Sequence, residues 1–401
     1  MARRSGRPFL KLVAVGAAAL LAWGHAQSPG EGWVHAGLRL TFYASAASVP
    51  GPYGEAVWKP DCDPRYGDCW TDPATGLTYG RDEGWASGQG FTRIDILYLD
   101  AQWCAVRLTS YTLDPTTGAV LTAVVGGGVT AGGCYDYWQD PASLAALPGQ
   151  AADGRRVGRG PYTLAGRTFE TVSLSASGTS GASHSVYDAA TGLLLVNSTR
   201  APGAKVPVVT GGGLAAGAAG VQQTYSELLD VRDVPGLAIA EALPRQAADL
   251  SYMRYACTQV TEVPGAGAVQ VPCQLDVTVR RRTPYWLEVD TLVQVASGMG
   301  APLTSQSTDL IGSGGHGGLF ASPAYLASLR PGQTLGGDPV TGVQAAVTQA
   351  DGASVTVVEQ SNAEVKTFVY DVASGWLVRF SQEQRVGLGS VSTYFELATL
   401  Q

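Results

Sequence analysis

Apolar residues in this chain alternate with polar ones more often than they recur at helical spacing. Val391, Thr393, Phe395 and Leu397 alternate with Ser392, Tyr394, Glu396 and Ala398, and Trp376, Val378 and Phe380 alternate with Leu377, Arg379 and Ser381. A period of two puts each set on one face of a strand, so the chain reads as all-β. Two segments depart from the pattern. Asp140-Pro141 and Ser322-Pro323 each offer an N-cap oxygen followed by Pro at the first helical position, then a turn or two rich in Ala and Leu. One short helix is expected in each half of the chain.

Turn chemistry punctuates the strands. Asp72 to Gly76, Asp114 to Gly118, Asp188 to Gly192, Asp338 to Gly342 and Asp371 to Gly375 share the pattern D-x-x-[ST]-G. The Asp carboxylate accepts from backbone N–H groups ahead of it, and Gly supplies the left-handed residue that closes a bulged hairpin. The recurrence marks these aspartates as turn formers, not as catalytic or calcium-binding residues.

The same order of features occurs twice. PASLAAL at 141–147 returns as PAYLASL at 323–329, each soon followed by PGQ; the segment from Tyr187 to Leu194 returns from Tyr370 to Leu377; and TYSELL at 224–229 returns as TYFELA at 393–398. A constant offset lays residues 104–147 on 286–329 without a gap, with Cys104 opposite Trp286 and Cys134 opposite His316. The chain therefore divides into a signal peptide at 1–26, a first β-repeat at 27–232, a linker at 233–249 and a second β-repeat at 250–401. Each repeat is expected to be an antiparallel β-meander with one short helix, curled into a barrel or half-barrel to bury one face.

The signal peptide rests on Arg3, Arg4, Arg7 and Lys11 ahead of an apolar run from Leu12 to Trp23, with small residues at Gly24 and Ala26. The run is too short for a permanent membrane helix and no later stretch is longer, so the mature chain is expected to lack a transmembrane segment. Export places it in the periplasm or outside the cell. Losing four of the 26 basic residues leaves 22 against 33 acidic ones, a formal balance of −11. That balance argues against nucleic acid as a partner. The six cysteines, Cys62, Cys69, Cys104, Cys134, Cys257 and Cys273, read as disulfides in an exported chain. Cys62–Cys69 and Cys257–Cys273 follow from proximity, and Cys104–Cys134 from the second repeat lacking both partners together. Without a C-x-x-C pair, zinc ligation and any other metal or cofactor are not expected.

No catalytic constellation is legible. His184 and His316 read as exposed loop or strand residues, Glu170, Glu359 and Glu364 as residues of a solvated sheet face, and the glycine clusters at 126–128, 211–213 and 312–318 as mobile loops without a phosphate-binding pattern. One segment stands out, an insertion at about 52–90 in the first repeat. It carries Trp58, Tyr66, Trp70, Tyr79 and Trp85 interleaved with Asp61, Asp63 and Asp68. Aromatic faces stack on sugar rings and carboxylates accept from hydroxyls, so these residues are the candidates for contacting carbohydrate. Alternatively, they form a private mini-core pinned by Cys62–Cys69. Asp61 and Asp63 begin like a calcium loop, but Arg65 and Tyr66 interrupt it. The expected function is a non-catalytic exported binding or envelope protein contacting polysaccharide or another envelope component. The alternatives are a structural or assembly protein, or a carrier holding an apolar molecule inside a β-barrel. Oligomeric state is not encoded in any motif.

Overall fold

The computed structural model describes residues 34–49 and 88–401, apart from turn residues at 114–118, 132–133, 152–153, 165, 179–180, 211–212, 266, 297–301 and 387–388. Between 50 and 87 it describes only 57–58, 69–71 and 78–80. The protein is all-β, with two antiparallel sheets in tandem. In the first half lie β1 (Leu38–Val49), β5 (Gly88–Leu99), β6 (Trp103–Leu113), β7 (Val120–Ala131), β8 (Arg156–Leu164), β9 (Arg167–Gly178), β10 (Gly181–Asp188), β11 (Leu194–Thr210) and β12 (Gly213–Asp233). The insertion contributes β2 (Val57–Trp58), β3 (Cys69–Thr71) and β4 (Thr78–Gly80) as a separate small sheet. The second half comprises β13 (Tyr252–Val263), β14 (Gly267–Arg282), β15 (Trp286–Val295), β16 (Leu303–Gly312), β17 (Thr334–Gly337), β18 (Gln344–Ala350), β19 (Ser354–Gln360), β20 (Glu364–Asp371), β21 (Leu377–Val386) and β22 (Gly389–Leu400).

The strand orders are β7-β6-β5-β1-β12-β11-β10-β9-β8 and β16-β15-β14-β13-β22-β21-β20-β19-β18-β17. They are the same order, with β17 added at one edge. Neither closes on itself, so each half is a half-barrel. Helices α1 (Pro141–Ala146) and α3 (Pro323–Ser328) lie where the Asx-Pro and Ser-Pro signals place them, with Asp140 and Ser322 accepting from the third residue on. Leu144 of α1 enters a core with Leu40, Ile94, Val106, Val172 and Leu194, and Leu326 of α3 enters its counterpart with Met253, Val277, Val289, Val355 and Leu377. A third helix, α2 (Arg245–Ala248), lies between the halves and carries none of these signals.

Details of register repeat too. Tyr187 on β10 and Tyr370 on β20 occupy equivalent places; their hydroxyls donate to Asp136 O and Gly318 O at 3.1 and 2.9 Å. Both hairpins that follow carry a bulge next to that tyrosine. The bulge resets the expected alternation in β21, because Val378 is the extra residue and Leu377 pairs with Tyr370 on the same face as Phe380. Turn hydrogen bonds correct the gapless offset by one residue at β6 and β15. Asp100 N donates to Trp103 O and Thr283 N to Trp286 O, each at 2.9 Å, so Trp103 is the counterpart of Trp286 and Cys104 that of Leu287. The second repeat still lacks a cysteine there.

Cys104–Cys134 and Cys257–Cys273 are bonded, with Cα separations of 5.2 and 4.7 Å. Cys62 lies outside the described residues, which leaves Cys62–Cys69 an expectation. Three of the D-x-x-[ST]-G segments are hairpin turns, with Asp188, Asp338 and Asp371 accepting from N–H groups at positions two or three ahead. The other two lie outside the described residues. Gly192 and Gly375 have φ of +76° and +79°, and a Cβ there would fall 1.8 Å from Gln139 O and 2.4 Å from Ala321 O. Both the left-handed backbone and the clash penalise a side chain. Gly192→Ala and Gly375→Ala should each destabilise the protein by about 2 kcal/mol or more, read as a lowered midpoint in urea titration, whereas Gly166→Ala, with φ +77° but open space around it, should cost only the backbone term of about 1–2 kcal/mol.

Candidate functional site

The two half-barrels meet along β7 and β16. Gly126 and Gly127, expected in a mobile loop, lie inside β7 instead, opposite Leu108 and Arg107 of β6. A Cβ on Gly127 would stand 3.2 Å from Asp309 Oδ1 and from Leu310 N, a tight contact, so the missing side chain eases the approach of β16. On one side of this crossing an apolar seam forms from Leu97, Ala105, Trp286 and Leu310 with Leu237 and Ile239 of the connecting segment. The segment 234–249 is thus built into the seam: Ile239 N donates to Leu97 O at 2.7 Å and Leu243 N to Pro284 O at 2.8 Å. Trp103 and Trp286 meet edge to face at 6.1 Å, and the Arg281 guanidinium sits 4.9 Å over the Trp103 ring.

On the other side of the crossing a cavity of about 330 Å³ opens between the halves. Its walls come from different faces. In the first half, Leu40, Ile94 and Val106 turn into the core, and the intervening Arg39, Arg93, Asp95 and Arg107 line the cavity from the opposite face. Cross-strand register aligns Arg39, Asp95, Arg107 and Gly127 in one row across four strands. In the second half the lining lies on the core-bearing face. Phe368, Phe380 and Phe395 stand directly opposite one another on β20, β21 and β22, with centroids 5.0 and 5.7 Å apart. The next row outward is polar: Glu359, Lys366 and Gln382.

The charges are largely withdrawn from water. Arg39 grips Asp95 through two hydrogen bonds of 2.6 and 3.0 Å. Arg93 approaches Asp95 only to 3.6 Å and lies 5.6 Å over the Tyr111 ring; Arg107 approaches Asp309 to 3.7 Å. Both of these arginines are over nine-tenths buried, and the Nε of each lacks a hydrogen-bond partner. Lys366 donates to Thr122 Oγ1 at 2.7 Å, and Thr122 donates to Glu364 Oε2 at 2.6 Å, tying β7 to β20. Glu364 also accepts from Gln382 and Gln384. His316 sits over the cavity with its Nε2 3.7 Å from Glu359 and its Nδ1 3.2 Å from the Tyr325 hydroxyl. Gly318 beside it lies against Arg107, and a Cβ there, 2.3 Å from a terminal guanidinium nitrogen, would displace that end of the side chain.

Three readings of the sequence are thereby corrected. Glu364 and Glu359 do not lie on a solvated sheet face, because the first half covers them; His316 is 14% exposed and walls the cavity; and the glycines at 312–318 form a close-packed crossing, with Gly315 against Gly236 O. Glu170 and His184 are exposed, as expected.

Of the insertion residues, Trp58, Trp70 and Tyr79 lie on β2, β3 and β4, and the register sets both tryptophans opposite Tyr79. Asp61, Asp63, Tyr66, Asp68 and Trp85 lie outside the described residues. Among the described residues no three metal-ligating side chains converge, and no helix is long and apolar enough to cross a membrane.

No protein-family model matches the chain, and no curated protein sequence matches it. Similar solved structures include a protein of unknown function from the DUF3598 family of Nostoc punctiforme, 11% identical, covering 90% of this chain and 96% of its own at a TM-score of 0.14. A transferrin binding protein B mutant from Haemophilus parasuis is 7% identical over 92% of this chain and 78% of its own, at a TM-score of 0.15. The intact Ap-TbpB, with N and C lobes, is 8% identical over 94% and 79%, at 0.17. Likeness at this level carries no information about function.

Burial depresses the His316 pKa below its ordinary value of 6.5; Arg39, Arg93 and Arg107 add to the depression, against the opposing pull of Glu359. A histidine kept neutral in the fold takes up its proton first in the unfolded chain, so stability falls as pH drops below about 6.5 until the folded-state pKa is reached. Burial pushes Asp95 and Glu359 upward, but Arg39 and Arg93 for the first and Lys366 and Arg93 for the second outweigh it and hold both carboxyls low. Their contribution persists above about pH 4 and is lost below it. Urea titrations between pH 7.5 and 5 should show a decline with a limiting slope of about 1.4 kcal/mol per pH unit in the wild type and a flatter profile in His316→Gln.

Proposed function

We propose that this is an exported, non-catalytic binding protein or carrier that holds a small amphipathic molecule between its two half-barrels. The observation that carries the reading is the cavity itself: about 330 Å³, floored by Phe368, Phe380 and Phe395 and roofed by Arg93, Arg107 and His316. That volume falls at the lower end of small-molecule sites, and a mostly apolar wall with a few convergent polar groups is their usual composition. The carrier reading of the sequence is kept in altered form, with the ligand between the sheets and not inside one barrel. The two disulfides suit an oxidising compartment, the periplasm or the exterior.

The repeat supplies an internal control. The first half builds the same sheet with Ser185, Asn197 and Ser226 opposite one another where the second has its three phenylalanines. It likewise places Ala176, Ser183 and Thr199 where the second has Glu359, Lys366 and Gln382. Neither row is a requirement of the topology, so both are attributed to what the second half encloses.

A neutral apolar dye that brightens on leaving water, N-phenyl-1-naphthylamine, tests the reading. Fluorescence should rise on mixing with the purified protein, and Phe380→Trp, which fills the cavity, should weaken binding by about tenfold or more. Equal binding by wild type and Phe380→Trp would remove the cavity as the site.

Carbohydrate contact through the insertion stands as a second reading, supported by its aromatic and acidic composition and by the backbone register that pairs Trp58 and Trp70 with Tyr79 in one small sheet. Titrating intrinsic fluorescence with a panel of polysaccharides checks it. A saturable change abolished by Trp70→Ala is expected, and no response to any sugar would count against it.

A further inference from the structure

We propose that the ligand is a monoanionic amphiphile whose carboxylate head seats between Arg93 and Arg107 while its aliphatic tail runs along the Phe368, Phe380 and Phe395 row. The proposal rests on the binding reading above and adds the chemistry of the head group.

The buried arginines differ in how their donors are met. Arg39 is satisfied by a bidentate grip on Asp95. Arg93 shares that same carboxylate at 3.6 Å, and Arg107 meets Asp309 at 3.7 Å, both beyond hydrogen-bonding distance. Each therefore keeps a buried Nε–H without an acceptor. Each Nε is shielded from the cavity and directed at its aspartate; the terminal nitrogens of Arg93 and Arg107, for which no hydrogen bond is made among the described residues, are the donors left for a ligand in the cavity these arginines line. A guanidinium presents its donors in a planar fork that matches a carboxylate.

The charges around the cavity limit the charge of the head. Four cations line the cavity, Arg39, Arg93, Arg107 and Lys366, against three carboxylates, Asp95, Asp309 and Glu359. Glu364, behind Lys366 and engaged by Thr122, Gln382 and Gln384, brings the tally to four of each sign, so the preference for an anion comes from the donors that Arg93 and Arg107 hold open and not from net charge. Among the described residues, the carboxylate that approaches His316 is Glu359, at 3.7 Å. A second anion would meet Asp95, Asp309 and Glu359 with no further cation, which limits the head to one charge.

The remainder of the cavity fixes the tail. Tyr255, Leu275 and Leu377 flank the phenylalanine row; the hydroxyls that also line this end are already engaged, Tyr255 with Leu377 O at 2.7 Å and Thr291 with Ser307 Oγ at 2.6 Å. At about 30 Å³ per water, the volume is that of roughly eleven waters, which suits a chain of about ten carbons.

Calorimetric titration of the purified protein at neutral pH with decanoate, decanol and decyltrimethylammonium tests the proposal. Decanoate should bind about tenfold or more tighter than decanol, and the cation should not bind. Affinity should rise about fourfold per added CH₂ from hexanoate to decanoate. Arg93→Gln should remove the preference for decanoate and leave decanol binding unchanged; Arg107→Gln is the second variant should the first not fold. Phe380→Asn, which installs the first half's own residue, should weaken decanoate and decanol alike. Equal affinity for decanoate and decanol in the wild type, or tighter binding of the cation, would overturn the anionic head while leaving the cavity as a binding site. Failure of all three amphiphiles and of the neutral dye would overturn both.

Discussion

Gly126 and Gly127 let the backbone of β7 lie directly against β16, and the functional architecture depends on that approach. A Cβ at either position would press on β16 at 3.2–3.3 Å, so a side chain there would require β16 to give way by a few tenths of an ångström. Close approach has a second effect. It carries the charged face of β1, β5 and β6 over the open face of the second half-barrel, where water is excluded and each ion pair gains strength. A buried ion pair is weak evidence for stability, since desolvation offsets much of its attraction. The array of Arg39, Asp95, Arg93 and Arg107 is better understood as specifying how the halves sit and what the space between them accepts.

Duplication gives the two sheets one topology and then lets them diverge where topology makes no demand. Tyr187 and Tyr370 hold the loop before the helix in the same way, and the bulges beside them recur, because both serve the packing of a short helix against a curled sheet. The row two residues back along the strand differs completely, Ser185, Asn197 and Ser226 in one half and Phe368, Phe380 and Phe395 in the other. Phe368 is buried in the core of the second half and Phe380 and Phe395 are half-buried against it, so the row extends that core to the cavity. Their presence in one copy places specialisation in the second half-barrel, with the first acting as its roof.

Much of the architecture was legible in the chain. The alternation in β22, the capped helices after Asp140 and Ser322, the Asp-to-Gly hairpin turns and the repeat order all arise from local or near-local physics, and all stand in the structure. Less visible was the bulge at Val378, because a one-residue insertion in a ladder is a property of the pair of strands and not of either. The site was not legible. Arg93 and Asp95 alternate with Ile94 and Ile96, the pattern of an ordinary solvated sheet face. Glu364 and Lys366 alternate in the same way with Val365. The conspicuous composition lies instead in the aromatic insertion.

The sequence by itself determined the class of fold, the tandem repeat, the turns and two of the disulfide pairings, since hydrophobic period, backbone preference and spacing act over a few residues or are copied with the duplication. Only the tertiary structure decided which face of each sheet is covered. The phenylalanine row is drawn from three strands and the arginine array from another three, and neither is contiguous until register aligns them. Burial of a charged face is the work of a second domain docked upon it, and that contact turns on glycines whose meaning is spatial: the absence of a side chain records nothing about what fills the space.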